Sequence, residues 1–297
     1  MSSSYRLFAV IVSGVRRLSP TFLRITLTGP ELAEFVDNGA DQRIKVLIPL
    51  PGCGLDHLPF GADDWFGAWQ ALPDTHRNPM RTYTVREVRF GTGDPEVDVD
   101  FALHPGAAVV GPATGWATAA RVGEQVVIVG PCRPSQAGRA WRPALPPSRV
   151  LLAADETAVP AISRILQELP EDVVGDALLE VPSAEDELLL PAPVGVRVSW
   201  LARGPRAHGS LLVDAVLDAA ADLAGVQQPG AAPAPALSDS EDETLWDVAE
   251  DTAGDPVQIW VAAEHAVSLR LRRSLASGRP RGSYAFMGYW RHGRAES

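Results

Sequence analysis

The sequence predicts two architectures in series, an antiparallel barrel or sandwich followed by a parallel α/β domain. Two observations carry this. The first half strings together short strand-like runs separated by Gly, Pro and Asp clusters, with few helical stretches. The second half alternates strand-like and helix-like runs, the pattern of a parallel sheet. A proline-rich stretch from Pro143 to Pro147 marks the change of rhythm, so the domains are expected over 1–146 and 147–297.

In the first half, Phe22–Leu27 and Ile44–Ile48 are short, apolar and partly β-branched. Pro51 to Pro79 reads as a loop. Arg81–Phe90 is strand-like and is followed by the turn cluster Gly91-Thr92-Gly93-Asp94-Pro95. Val97-Asp98-Val99-Asp100-Phe101 alternates strictly, as a half-buried strand does. Gln125–Val129 is a further strand, with Gly130-Pro131 as its expected stop. In the second half, strands are predicted at Arg149–Ala154, Ala177–Val181, Val196–Leu201 and Val257–Ala262. Helices are predicted at Ala158–Leu169, Ser210–Leu223 and Glu264–Ala276. Pro160 sits near the start of its helix, where a missing N–H costs little.

Composition excludes several classes. Hydrophobic residues make up 46% of the 297, enough for a real core. No apolar run approaches the roughly 20 residues that span a bilayer. The start, Met1-Ser2-Ser3-Ser4-Tyr5-Arg6, lacks a signal-peptide pattern, so a cytoplasmic monomer without membrane insertion is expected. The two cysteines, Cys53 and Cys132, have no partners at metal-ligand spacing, and no metal site is expected. A formal charge of −11 disfavours nucleic acid. That charge is concentrated: Val226 to Pro256 holds eight acidic residues and no Lys or Arg. This segment, about 226–256, reads as an acidic low-complexity loop inserted before the last strands.

The chemistry-bearing residues begin at Arg81-Thr82-Tyr83-Thr84-Val85-Arg86. An arginine beside an aromatic ring on a strand suits a ligand that has both a phosphate and a flat ring. Strand alternation puts Arg81 and Tyr83 on one face and Thr82 and Thr84 on the other, unless a bulge intervenes. Downstream, Phe101-Ala102-Leu103-His104 ends a strand, and Gly111-Pro112-Ala113-Thr114-Gly115-Trp116-Ala117 enters a short helix whose N–H groups suit a pyrophosphate. A plain helix start with Trp116 in the core is the equal alternative.

Taken in order, these segments resemble the siderophore-interacting protein family, relatives of the ferredoxin–NADP reductases. So do Ile44-Lys45-Val46-Leu47-Ile48-Pro49, the Gly130-Pro131 pair, Asp155-Glu156-Thr157-Ala158-Val159-Pro160-Ala161-Ile162, and Gly288-Tyr289-Trp290-Arg291-His292-Gly293-Arg294. Ala154 stands where the family pattern has Gly. The resemblance implies a flavin-binding β-barrel followed by a Rossmann-like NAD(P)H-binding domain, and FAD-dependent reduction of ferric siderophores with NADPH or NADH. It implies that Arg81 takes the FAD phosphates, that Tyr83 packs on the isoalloxazine and that Thr84 bonds near N5. His104 and Gly111 to Trp116, including Ala113 and Thr114, would hold the rest of the dinucleotide. The Asp155–Ala158 turn would lie against the flavin, with Thr157 binding and Asp155 or Glu156 shaping the nicotinamide pocket. Lys45 and Arg291 would meet an anionic ferric siderophore. Some members carry an Arg directly after the Gly-Pro; here Cys132 holds that place, and Arg133 follows as the third candidate cation. Arg203 and Arg206 are candidates for a 2′-phosphate. Two alternatives stay open: a flavin reductase that exchanges electrons with a protein partner such as a ferredoxin, and a non-enzymatic siderophore-binding protein.

Overall fold

In the computed structural model, residues 4–103, 111–143, 145–223, 245–248, 256–277 and 279–293 are described. The chain divides into two compact units, Met1–Arg139 and Ala140–Glu296. The first is a closed six-stranded barrel. Its strands are β1 (Tyr5–Arg17), β2 (Phe22–Thr28), β3 (Arg43–Leu47), β4 (Met80–Arg89), β5 (Glu96–Ala102) and β6 (Gln125–Pro131), in the order β1-β2-β5-β4-β3-β6. Neighbouring strands are antiparallel throughout.

Alternation explains the barrel's interior. Phe8, Val10 and Val12 of β1, Ile25 and Leu27 of β2, Val97, Val99 and Phe101 of β5, and Val126 and Ile128 of β6 form one core. The opposite face of β5 is polar but not open to water: Asp98 and Asp100 are 3% and 5% exposed. Arg24 forks onto Asp100 at 2.6 and 2.8 Å, and Arg89 onto Asp98 at 2.8 and 2.9 Å. Burial works against the Asp98 charge, but Arg89, Thr26 and Arg24 outweigh it and hold this carboxyl below its ordinary value.

Two sequence expectations change here, and β1, which no expectation covered, is a further strand whose register shifts between Val12 and Gly14. The strand β6 runs through Gly130-Pro131 instead of stopping before it. Pro131 is tolerated because it is the strand's last residue. Gly130 is required, since a Cβ there would lie 2.3 Å from the Phe35 ring. Finally, the segment from Pro51 to Pro79 is not only loop. It contains α1 (Trp65–Gln70), capped by Asp64, which accepts from Gly67 N at 2.9 Å. Trp69 and Leu58 pack on Leu7, Leu47, Val127 and Val129, the outward side chains of β1, β3 and β6. That covering explains why β6 is apolar on both faces. The barrel unit is completed by α2 (Pro112–Ala119), whose Ala113, Trp116 and Ala117 enter the core.

The second unit is a six-stranded sheet. Its elements are β7 (Arg149–Ala154), α3 (Val159–Glu168), β8 (Val174–Val181), β9 (Val196–Ala202), α4 (Ser210–Leu223), β10 (Trp246–Val248), β11 (Val257–Glu264), α5 (His265–Leu275) and β12 (Tyr284–Trp290). The order is β10-β12-β11-β7-β8-β9. All pairs are parallel except β10 with β12. The helices α4 and α5 share a core with alternate residues of β7 and β11. Strand order reverses between β7 and β11, and the carboxyl ends of such a pair flank the crevice where open α/β sheets take ligands. Most of the acidic stretch expected as a loop lies outside the described residues. Its Trp246–Val248 piece forms β10, and Asp247 is buried there, accepting from Arg272 at 2.5 Å and Arg281 at 3.0 Å.

Trp69→Ala should remove the main anchor of the covering segment and the indole bond to Asn78 O at 3.1 Å. A loss of about 3–5 kcal/mol in urea unfolding is expected, with far-UV circular dichroism at zero denaturant retained.

Candidate functional site

On the barrel, β3 and β4 pair so that Val46 faces Arg81, Ile44 faces Tyr83, Lys45 faces Thr82 and Arg43 faces Thr84. Ile44 and Val46 belong to the core, so Arg81 and Tyr83 share the core-facing side while Thr82 and Thr84 share the other. The register shift in β4 falls between Val85 and Glu87, beyond these four residues, so their alternation holds. Tyr83 is half-buried, its ring centroid 4.2 Å from that of Phe101, which lies 5.7 Å from Trp116. This run of rings joins β4, β5 and α2. Trp116 is a core residue whose indole donates to Glu124 Oε1 at 2.9 Å. Thr84 is buried.

The strand arginines divide by partner. Arg24, Arg86 and Arg89 are ion-paired with Asp98 or Asp100. Arg81 donates Nη1 to the Met80 carbonyl at 2.9 Å, and among the described residues no carboxylate pairs with it. Its charge is therefore available to an anion. At α2, the N-cap is Gly111, which supplies no side-chain cap, and Pro112 at the first position has no N–H. Among the described residues, the Ala113 and Thr114 N–H groups thus open the helix without a side-chain acceptor, and nothing lies within 4 Å of a Cβ built on Gly111. This is a donor set that a phosphate fits. Among the candidate cations, Lys45 is exposed and donates to Thr82 Oγ1 at 2.6 Å. Arg133 is exposed just past β6. His104 lies outside the described residues.

At the carboxyl edge of the sheet, Asp155 is the organising group. It is 1% exposed. Its Oδ1 accepts from Thr157 N at 2.9 Å and Thr157 Oγ1 at 2.6 Å, and its Oδ2 from Glu264 N at 2.8 Å and Trp290 Nε1 at 2.7 Å. Both oxygens are engaged within the fold, and the Thr157 hydroxyl keeps only its acceptor side for a ligand. Burial first, and the adjacent Glu156 carboxylate second, push the Asp155 carboxyl up to about 7, while Thr157 and Trp290 pull the other way. Glu156 is fully buried and held in a fork by Arg203 at 2.7 Å on both oxygens. Burial alone would lower the Arg203 pKa; the Glu156 pair more than offsets it. Arg203 is therefore committed to Glu156, and Arg206, exposed nearby, is the cation left for a phosphate. Ala158 is fully buried.

Several residues at this edge were not singled out from sequence. Glu180 ends β8 and accepts from Gly209, Leu211 and Leu212 N–H groups at 2.6–3.0 Å, capping α4. Glu264 caps α5 through Ala266 N and also accepts from His292 N at 3.2 Å. His208 stands edge-on to Trp290, centroids 4.9 Å apart. Arg291 Nη2 lies 3.0 Å from His265 Nε2. The available signal was positional: both Glu180 and Glu264 end apolar strands of a parallel sheet, where a buried carboxylate meets a helix N-terminus.

Comparison with known proteins agrees with both units. Residues 11–135 match the siderophore-interacting FAD-binding domain, and residues 147–293 match the siderophore-interacting protein model. Ferric vibriobactin reductase ViuB of Vibrio cholerae is 32% identical, over 71% of this chain and 73% of its own. The NADPH-dependent ferric-chelate reductase of Escherichia coli is 29% identical, over 68% and 72%. The crystal structure of the siderophore-interacting protein SipS from Aeromonas hydrophila superposes with a TM-score of 0.66 at 27% identity, covering 99% of this chain and 95% of that one.

The Asp155 carboxyl gives a signed expectation. Its pKa rises from 3.8 to about 7 on folding, so it favours the folded state most below pH 3.8, and that contribution is lost as pH rises through about 7. Asp155→Asn should flatten the stability profile across that window in denaturant titrations at stepped pH. It should also lower stability at every pH, because an amide NH₂ must face donors that now meet an oxygen.

Proposed function

Because the chain belongs to the siderophore-interacting protein family, we propose that it is an FAD-dependent reductase that draws electrons from NAD(P)H and passes them to the iron(III) of a ferric siderophore, releasing iron(II). The observation that carries this reading is that Arg81 has no carboxylate partner among the described residues, whereas Arg24, Arg86 and Arg89 are all ion-paired. The N–H groups of Ala113 and Thr114 at the start of α2 supply separate donors that suit a phosphate.

When bound, FAD supplies the conversion of a two-electron hydride into single electrons for iron(III). The protein's part is binding and orientation. Arg81 forks onto phosphate oxygens. Tyr83 offers a ring face and Thr84 a small hydroxyl from adjacent strand positions on opposite faces, which requires the isoalloxazine to lie along the strand edge. In the α/β unit, Asp155 fixes Thr157 and Trp290, and the Thr157 hydroxyl oxygen remains an acceptor for the reductant or flavin. The candidate cations for an anionic ferric chelate are Lys45 and Arg133 in the barrel unit and, considered by itself, Arg291 in the α/β unit. The E. coli relative's use of NADPH favours NADPH here, with Arg206 the cation for its 2′-phosphate. Iron(II) binds hard oxygen donors more weakly than iron(III), so reduction itself frees the metal, and no group of three or more metal-ligating side chains occurs among the described residues.

The purified protein should bind FAD with absorption near about 380 and 450 nm, as flavin chemistry dictates. Arg81→Ala should weaken FAD affinity about 10- to 100-fold, the value of a charge-assisted bond of roughly 1.5–3 kcal/mol. A colourless protein that cannot be loaded, or an Arg81→Ala variant with unchanged affinity, would overturn the assignment. Lys45→Ala should raise KM for an anionic ferric tris-catecholate more than for a neutral ferric tris-hydroxamate; equal effects would remove Lys45 from the substrate site.

A further inference from the structure

The second unit holds one contact whose chemistry is unusually constrained. His265 opens α5 directly after the Glu264 cap. Its Nε2 lies 3.0 Å from Arg291 Nη2, and the Leu245 N–H approaches its Nδ1 at 3.4 Å. A guanidinium has donors only, so the shorter contact requires a lone pair on Nε2. The neutral ring then carries its one proton on Nδ1, so the Leu245 N–H at 3.4 Å is a close approach and not a hydrogen bond; a protonated ring would add an N–H donor facing the guanidinium. The ring is closely packed by β12: a Cβ at Gly288 would come within 3.1 Å of His265 Cα and Nδ1. Among the described residues, the charges that bear on the ring are Arg291, just after β12, and Glu264 at the helix cap. Burial first and Arg291 second hold this imidazole below its ordinary pKa, against the opposing pull of Glu264.

We propose that His265 is a positioning residue: as a neutral imidazole it accepts a hydrogen bond from Arg291 and holds that guanidinium in one orientation at the carboxyl edge of the sheet, ready for an anionic ferric chelate. This rests on the reading of Arg291 as a substrate cation. Acidification then loosens Arg291 by charging its support, so affinity for an anionic chelate falls as His265 takes up a proton.

The test compares wild type, His265→Phe, His265→Gln and Arg291→Ala as the full FAD-loaded chain, from about pH 8 to about pH 5, across the histidine range. Substrates are a ferric tris-catecholate and a neutral ferric tris-hydroxamate. His265→Phe keeps a ring but loses the acceptor. It should raise KM for the tris-catecholate about 10-fold, the loss of one charge-assisted bond, and shift KM more than kcat. His265→Gln carries an acceptor at the same reach and does not titrate. It should restore most of the KM and abolish its rise at low pH. If Arg291→Ala raises the tris-catecholate KM and His265→Phe does not, His265 has no positioning role. If Arg291→Ala leaves that KM unchanged, the substrate reading of Arg291 fails and the proposal falls with it. Should His265→Phe fail to fold, imidazole NMR on wild type and Arg291→Ala decides. Removing Arg291 should raise the His265 titration midpoint, and an unmoved midpoint would overturn the contact.

Discussion

Two oxygens of one buried carboxylate serve four donors from three separated stretches of the second unit. Asp155 takes the backbone and hydroxyl of Thr157 after β7, the backbone of Glu264 at the end of β11, and the indole of Trp290 at the end of β12. Above about pH 7, where this carboxyl is ionised, each such bond is worth about 1.5–3 kcal/mol, and removing the acceptor would strand donors in an interior that offers no water. The position follows from topology. Strand order reverses between β7 and β11, which leaves a crevice that must be closed by polar groups or filled by a ligand. Asp155 lies at the carboxyl end of β7, and Thr157, Trp290 and the Arg291–His265 pair lie at the same edge of the sheet.

The same economy of charge runs through the rest of this edge and through the barrel. Buried carboxylates appear where a helix begins: Glu180 caps α4 and Glu264 caps α5. Glu156 is tolerated in a dry site only because Arg203 forks onto it. On the barrel, the face of β2, β5 and β4 opposite the core is a mesh of arginines and acids. Against that background, Arg81 differs from Arg24, Arg86 and Arg89 in having no carboxylate partner among the described residues.

Much of this was legible in the sequence, for identifiable reasons. Alternation in Val97 to Phe101 gave a strand, and the structure keeps it, although Asp98 and Asp100 are buried by arginines rather than solvated. Helical spacing gave Ser210–Leu223 to the residue. The helix α1 was hidden by the glycines, prolines and aspartates around it, because its stability comes from packing Trp69 on the barrel and not from local propensity. At the site, the ordered segments named the residues, but one-dimensional reading could not assign their partners. Asp155 and Arg203 are candidates from the sequence, and the fold gives each its protein partners, Thr157, Glu264 and Trp290 for Asp155 and Glu156 for Arg203. Glu264 and His265 drew no attention because their roles exist only where β11 and β12 end side by side.

The central claim is that this chain moves electrons from a nicotinamide to iron(III), and anaerobic turnover measures that directly. The FAD-loaded protein is mixed with NADPH or NADH, a ferrous trap and a panel of ferric siderophores. The account predicts loss of the flavin's visible absorption on adding nicotinamide, its return on adding ferric siderophore, and two trapped iron(II) per nicotinamide oxidised, as electron balance requires of a hydride donor. Flavin that stays oxidised with both nicotinamides, or that is reduced but yields no trapped iron(II) with any chelate, would contradict it.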